Sequence, residues 1–93
     1  MGKFRIEITD IAKIQIEKHY KSGDQASIKK IEKIFIDLVE NPFIGVGKPE
    51  QLKGNLAGFW SRMINKKDRL IYSINEDIVV VDVVSAMGHY GDK

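Results

Sequence analysis

Residues 59–84 are the part of the chain that most restricts how it can fold. Three runs rich in β-branched and aromatic residues, at 59–64, 69–74 and 78–84, are separated by two short polar connections. This arrangement is typical of two consecutive antiparallel hairpins. Such a sheet has to bury one of its faces, so the remainder of the chain must supply a cover for it.

Side-chain alternation along these runs predicts two different sheet faces. If each hairpin closes through two central residues (66–67 and 76–77), Ile64 lies opposite Arg69, and Arg69 lies opposite Val84. The apolar face then carries Phe59, Met63, Leu70, Tyr72, Ile74, Val79, Val81 and Val83. The opposite face, which is more polar, carries Trp60, Arg62, Ile64, Arg69, Ile71, Ser73 and Asp82.

The N-terminal half predicts one strand and two helices that cover the apolar face. Residues 3–8 alternate apolar and charged, as in a half-buried strand. Helical spacing follows at 10–21 and 25–40, with Thr9 or Asp10 as the first N-cap. The apolar positions of the first helix are Ile11, Ala12, Ile14, Ile16 and Tyr20. The predicted fold is α+β, a single domain over residues 1–93 in the order βααβββ, with two helices on one face of a mainly antiparallel sheet.

Composition narrows the class of protein. A chain of 93 residues forms one domain with a modest core, and it contains no cysteine for a disulfide, a thiolate metal site or a cysteine nucleophile. No apolar run is long enough to cross a membrane, and no signal-peptide pattern is present, so we expect a cytoplasmic protein without a membrane partner. The net charge of +2 permits an RNA partner but does not require one.

The connectivity predicts that several reactive side chains meet at one end of the sheet. The register makes Arg62 and Arg69 diagonal neighbours, which either stay solvated or share an anion. The strand directions bring the C-terminal His89-Tyr90 to the same end, and the loop at 47–53 is expected to fold over the polar face.

That set of groups suits RNA cleavage without a metal. Attack of the 2′-hydroxyl on the adjacent phosphate needs a general base, a general acid and cations for the phosphorane. Glu50 is the candidate base, His89 the candidate acid, and Arg62 and Arg69 the candidate phosphate clamps. We find no metal-ligand spacing and no phosphate-binding glycine motif, so we predict no metal and no cofactor.

Each candidate also has an ordinary structural interpretation. Glu50 is also explained as a solvated loop residue, and His89 as a surface histidine. Trp60 either stacks on a base or is buried at the end of the sheet. Lys29, Lys30 and Lys33 form either a solvated helix face or a set of contacts to RNA phosphates.

Four short motifs occur together in the second half of the chain. They are GKPEQLK at 47–53, NLAGFWSR at 55–62, RLIY at 69–72 and HY at 89–90. In combination they resemble the Txe/YoeB branch of the RelE toxin superfamily. The similarity is close over residues 41–90, whereas the N-terminal strand and helices agree only in pattern.

The resemblance implies a RelE-like fold and a ribosome-dependent mRNA endonuclease of a bacterial toxin–antitoxin module. By this resemblance Glu50 matches the general base, His89 the general acid and Arg69 the arginine of the transition state. Tyr90 matches the partner of the acid, and Lys53 and Arg62 match basic residues around the phosphate. One departure is Met63, where the family often has a second arginine; the predicted register turns Met63 toward the core.

The resemblance also implies partners. These are a cognate antitoxin, the ribosome and mRNA, with a homodimer or a toxin–antitoxin hetero-oligomer as the assembly. The alternative function is a catalytically weak RNA- or antitoxin-binding module that uses the same basic face. Such a module requires the arginines but not the acid–base pair Glu50 and His89.

Overall fold

A mixed five-stranded sheet with two helices on one face makes up the computed structural model, which describes residues 4–84. The elements are β1 (Arg5–Ile8), α1 (Asp10–Ser22), α2 (Gln25–Glu40), β2 (Glu50–Gln51), a 3₁₀ turn (Gly54–Leu56), β3 (Phe59–Met63), β4 (Arg69–Asn75) and β5 (Ile78–Val83). The strand order is β1-β5-β4-β3-β2, with β1 parallel to β5 and every other neighbouring pair antiparallel. The α+β prediction is confirmed, and β2 is a strand that the sequence pattern did not reveal.

Capping residues set the ends of the two helices. Thr9 is the N-cap of α1, and its hydroxyl accepts a hydrogen bond from the backbone N–H of Ala12 at 3.1 Å. Gly23 follows α1 in the left-handed region, with φ of 78°, which a glycine adopts without steric cost. Asp24 then caps α2 by accepting from the backbone N–H of Ser27. The predicted helix bounds are therefore confirmed to within a residue.

Both helices contribute to one apolar core on the same face of the sheet. Its buried members are Ala12, Ile31, Ile34, Leu38, Ile64, Leu70, Tyr72, Val79, Val81 and Val84. The predicted apolar side of α1 is only partly covered, because Ile11 and Ile14 are 62% and 55% exposed. The amphipathic pattern of α2 matches its burial better, since Ile28, Ile31, Ile34 and Leu38 are all buried.

Side chains of α1 also hold the end of β5. Gln15 Oε1 accepts from the backbone N–H of Val84 at 2.8 Å, and His19 Nε2 donates to the carbonyl oxygen of Val84 at 2.9 Å. Thr9 Oγ1 donates to the carbonyl oxygen of Asp82 at 3.0 Å. Gln15 and His19 are four residues apart and so share a helix face. The chain therefore leaves the sheet at a fixed point, beside α1.

The predicted register of the first hairpin is wrong by one residue. Met63, not Ile64, lies opposite Arg69. The side chain of Asn65 organises the turn, because its Oδ1 accepts from the backbone N–H groups of Lys67 and Asp68, each at 2.8 Å. Five residues, rather than four, therefore separate the paired ends of β3 and β4.

A one-residue slip exchanges the two faces of a strand. Trp60 and Arg62 pair with Tyr72 and Leu70, so they lie on the face that the helices cover, and Ile64 belongs to the core. Phe59 and Met63 pair with Ser73 and Arg69 and lie on the other face, contrary to prediction.

The second hairpin follows the predicted register until an irregularity near its end. Asn75 pairs with Ile78 and Tyr72 with Val81, which places Leu70, Tyr72, Val79 and Val81 in the core as predicted. Ile71 pairs with Val83, one residue out of step, so the predicted pairing of Arg69 with Val84 is wrong.

Candidate active site

Within residues 4–84 one face of the sheet carries no helix, and the two central catalytic candidates that the structure describes both lie on it. We call it the helix-free face and define it by Glu50, Ser61, Met63, Arg69 and Ile71. Glu50 pairs with Ser61, Ser61 with Ile71, and Met63 with Arg69, which fixes all five on the same side of the sheet. From strand spacing and rise, the Cα atoms of Glu50 and Arg69 are about 12 Å apart. A single phosphate group fits between two such side chains.

Glu50 is held at the edge of the sheet by backbone hydrogen bonds on both sides. Before it, the N–H of Met63 donates to the carbonyl oxygen of Gly47 at 2.7 Å; after it, the N–H of Leu52 donates to the carbonyl oxygen of Phe59 at 2.9 Å. The predicted loop does not fold over the polar face but extends the sheet as β2. The carboxylate of Glu50 is therefore exposed to solvent on a backbone that is fixed.

Arg69 is the first residue of β4 and is half-buried on the helix-free face. It follows the turn that Asn65 and Asp68 organise, so its backbone is also fixed. Lys53 is exposed at the start of the 3₁₀ turn that follows β2. The structure thus brings Glu50 and Arg69 to one surface and leaves Lys53 on the adjoining loop.

His89 and Tyr90 lie outside the described residues. The last described residue is Val84, whose two backbone polar groups are held by Gln15 and His19. The predicted roles of His89 and Tyr90 therefore stay predictions.

Arg62 is not on the polar face with Arg69, and this prediction is wrong. Its side chain is fully buried among α2, β4 and the loop at 41–47. Nε donates to the hydroxyl of Tyr72 at 3.1 Å, and Nη1 donates to Asp37 Oδ2 at 3.3 Å. The remaining contacts are Nη1 to the carbonyl oxygen of Val46 at 3.2 Å, and Nη2 to those of Asn41 at 3.4 Å and Ile44 at 2.7 Å.

Trp60 also lies on the helix-covered face, against the prediction that it is on the polar one. Its ring meets that of Phe43 edge to face, with centroids 5.4 Å apart at 72°. Phe43 in turn contacts Phe4, with centroids 6.4 Å apart. Trp60 is half-buried against the core, so the alternative of packing at the end of the sheet describes its surroundings better than a base-stacking platform.

Three residues of the site region were missed by the sequence reasoning. Asp37 and Tyr72 are partners of Arg62, and burial raises the pKa of the Tyr72 phenol, with the hydrogen bond from Arg62 opposing the shift. Ser61, opposite Glu50, is fully buried, and its Oγ has no hydrogen-bond partner among residues 4–84. A buried arginine and its partners leave no periodic signal, so only the register of β3 could have revealed them.

Residues 4–84 contain no group of three or more His, Asp or Glu side chains placed to hold a metal ion. Neither described helix is long and apolar enough to cross a membrane.

Comparison with known proteins identifies the family of the chain. Residues 13–90 match the family described as YoeB-like toxin of bacterial type II toxin–antitoxin system. Toxin YoeB of Streptomyces coelicolor is 43% identical over 72 residues, which are 77% of this chain and 83% of the relative. Toxin YoeB of Escherichia coli K12 is 41% identical over 63 residues, covering 68% of this chain and 75% of the relative.

Solved structures show the same fold. The YoeB dimer from Staphylococcus aureus is 29% identical, with a TM-score of 0.76 over 90% of this chain and 97% of that one. The heterotetrameric YoeB–YefM complex from the same organism gives a TM-score of 0.75 at 29% identity, with the same coverage. The Escherichia coli DinJ–YafQ complex, at 15% identity and a TM-score of 0.77, shares the fold over 98% of this chain and 99% of that one. The chain therefore belongs to the YoeB-like toxin family of bacterial type II toxin–antitoxin systems.

Proposed function

We propose that the protein is a ribosome-dependent mRNA endoribonuclease that cuts mRNA in the ribosomal A site. The observation that supports this best is that Glu50, which is exposed, and Arg69, which is half-buried, share one face of the sheet at a spacing that fits a phosphate group. Membership of the YoeB-like family supports the same function.

In the proposed reaction the protein supplies a base, an acid and a cation. Glu50 accepts the proton of the RNA 2′-hydroxyl while the 2′-oxygen attacks the adjacent phosphorus. Arg69 binds the phosphate oxygens, where negative charge grows in the transition state. His89, with Tyr90 as its partner, protonates the 5′-oxygen that leaves, and the product carries a 2′,3′-cyclic phosphate or, after its hydrolysis, a 3′-phosphate.

The exposure of Glu50 gives a physical reason for dependence on the ribosome. Its carboxylate lies at a sheet edge in contact with water, where a base is well solvated and substrate is not held in line. Orienting two reacting groups contributes roughly 7–11 kcal/mol in favourable cases. The ribosome would supply that orientation for the mRNA and exclude water from the edge. We therefore expect the isolated protein to be a poor nuclease. Because the proposed reaction takes place on the ribosome, we also expect the protein to act in the cytoplasm.

An antitoxin is the second proposed partner. The Staphylococcus aureus relatives are seen as a dimer and as a complex with YefM, so we propose corresponding assemblies for this chain. The described surface offers large exposed apolar side chains that such contacts would bury. They are Ile11, Ile14, Ile36, Phe43 and Ile44.

Primer extension on a translated mRNA tests the proposed function. We expect new 5′ ends inside the reading frame when the protein is present, and their loss when translation is blocked. If the mRNA stays intact, and a separate binding assay shows that the same protein binds a cognate antitoxin, the nuclease proposal is wrong and the binding-module function takes its place.

A further inference from the structure

We infer that Arg62, together with Asp37 and Tyr72, positions Glu50 by fixing the loop that leads into β2. We call this group the arginine cage; it consists of these three side chains and the backbone of residues 41–47. The inference rests on the proposed function, since it assigns a task to residues that do not touch the substrate. It replaces the phosphate-binding role that the sequence suggested for Arg62.

The hydrogen bonds of Arg62 leave no donor for a phosphate. A guanidinium has five N–H groups, and five acceptors lie within hydrogen-bond distance of the Arg62 nitrogens. Three of the acceptors are loop carbonyl oxygens, those of Asn41, Ile44 and Val46. The side chain is also 0% exposed, so an RNA phosphate has no route to it in this conformation.

Asp37 and Tyr72 tie the same loop to the core. The Tyr72 hydroxyl accepts from Arg62 and donates to the carbonyl oxygen of Pro42 at 2.7 Å. Asp37 Oδ2 accepts from Arg62 and from the backbone N–H of Val46 at 2.8 Å. Each of these residues therefore connects the guanidinium to the loop by a second hydrogen bond.

The close packing of the loop requires glycine at one of its turns. A Cβ built on Gly45, where φ is 130°, would collide with the carboxylate of Asp37 and come within 2.7 Å of Arg62 Nη1. This position therefore accepts no side chain without displacing the ion pair.

The cage is connected to Glu50 by a short piece of chain. Gly47 accepts from the N–H of Met63, and only two residues separate Gly47 from Glu50. One of them, Lys48, has φ of 53°, an uncommon value for a residue other than glycine, and the other is Pro49, whose ring fixes φ. A shift of the loop is therefore passed to β2 rather than absorbed, and it moves Glu50 relative to Arg69 on the neighbouring strands.

The test compares Tyr72→Phe with Tyr20→Phe, using the full chain. Both variants lose one phenol that makes a hydrogen bond, but the Tyr20 hydroxyl donates to the exposed Glu32 on the outer surface, at 3.0 Å. We measure single-turnover mRNA cleavage on programmed ribosomes and, separately, affinity for those ribosomes. Tyr72→Phe should lower the cleavage rate about 10- to 100-fold, the loss expected for a displaced reacting group. Its ribosome affinity should stay within twofold, and Tyr20→Phe should behave as wild type in both assays.

A second comparison shows whether the effect passes through Glu50. In a Glu50→Ala background, Tyr72→Phe should cause no further loss of rate, because nothing remains to be positioned. Arg62→Lys should resemble Tyr72→Phe, since an ammonium cannot replace the planar fork. A weaker ribosome affinity of Arg62→Lys with an unchanged saturating rate would show that Arg62 binds phosphate and would overturn the inference, as would a wild-type rate for Tyr72→Phe.

Amide hydrogen exchange separates failure of the cage from failure of the proposed function. The cage predicts faster exchange at Val46 and Met63 in Tyr72→Phe, with the amides of α1 unchanged. If the wild-type protein cleaves no mRNA but exchange accelerates as expected, the proposed function is wrong and the structural part of the cage stands. If exchange at both amides is unaltered in Tyr72→Phe and Arg62→Lys, the cage is wrong whatever the nuclease assay shows.

Discussion

At the scale of single residues, Arg69 is the described cation best placed to meet the charge that develops on a phosphate. It is half-buried on the helix-free face and follows a well-ordered turn. We expect Arg69→Lys to reduce mRNA cleavage sharply while the fold persists, because lysine keeps the charge but loses the bidentate fork. Arg5→Lys, at an exposed position of β1, is the matched control and should cleave as wild type. Cleavage by Arg69→Lys at the wild-type rate would remove Arg69 from the mechanism.

Leu70, the residue after Arg69, tests the core on the opposite face. It is fully buried under the helices, so Leu70→Ala should lower the free energy of unfolding by about 2–5 kcal/mol. Ile36→Ala is the control, because Ile36 is 65% exposed and its loss creates no cavity. Urea unfolding of both variants measures the difference. Equal midpoints would mean that the sheet does not bury Leu70.

Two arginines seven residues apart show what the sequence can and cannot determine about a site. Arg69 lies half-buried on the helix-free face, on the side of β4 where it was predicted, whereas the side chain of Arg62 is fully buried. The face of Arg62 depends on a one-residue register of β3 set by the Asn65 side chain, which hydrophobic alternation does not encode, whereas the face of Arg69 follows from the alternation along β4. The motif that resembles the toxin family identifies Arg62 as a residue of interest, but the hydrogen bonds of its side chain are made to the loop at 41–47.

At the scale of elements, helices and the second hairpin were predictable, and β2 and the first register were not. Capping residues and helical spacing fix α1 and α2, and the Glu76-Asp77 turn fixes the start of β5. The two residues of β2 are too few to show alternation, and the strand exists because Gly47 and Leu52 bond to β3. The position of Glu50 on the helix-free face therefore depends on tertiary hydrogen bonds to β3 and not on a local sequence pattern.

The cap of α2 gives a prediction about acid stability. Hydrogen bonds from Ser27 lower the pKa of the Asp24 carboxyl, so the folded state favours the charged form. The sign follows: this contribution is present above the unfolded-state pKa of about 3.9 and is lost as pH falls through the lowered folded-state value. Asn also caps helices but does not titrate in this range.

Urea midpoints of wild type and Asp24→Asn between pH 2.5 and 6 measure this effect. We expect the stability of the wild type relative to the variant to decrease as the solution becomes more acidic. A difference between the two proteins that stays constant over this range would show that Asp24 does not bind protons differently on folding.

At the scale of the whole molecule, the topology brings the residues of the proposed reaction to one region of the sheet. The antiparallel order of β3, β4 and β5 brings the end of β3, the start of β4 and the end of β5 together. Arg69 begins β4 there, β2 adds Glu50 at the adjoining edge, and α1 fixes Val84, five residues before His89. The helices cover the other face, so the proposed mRNA substrate would reach Glu50 and Arg69 from the helix-free face.

The most direct test of this account is single-turnover cleavage of mRNA on programmed ribosomes by wild type, Glu50→Ala and His89→Ala. General acid–base groups each contribute about 10²–10⁴-fold to the rate. We expect losses of that size in both variants, with ribosome binding retained because the fold and the basic side chains are unchanged. Cleavage by both variants within a few-fold of wild type, at equal ribosome occupancy, would contradict the assignment of Glu50 and His89 as base and acid.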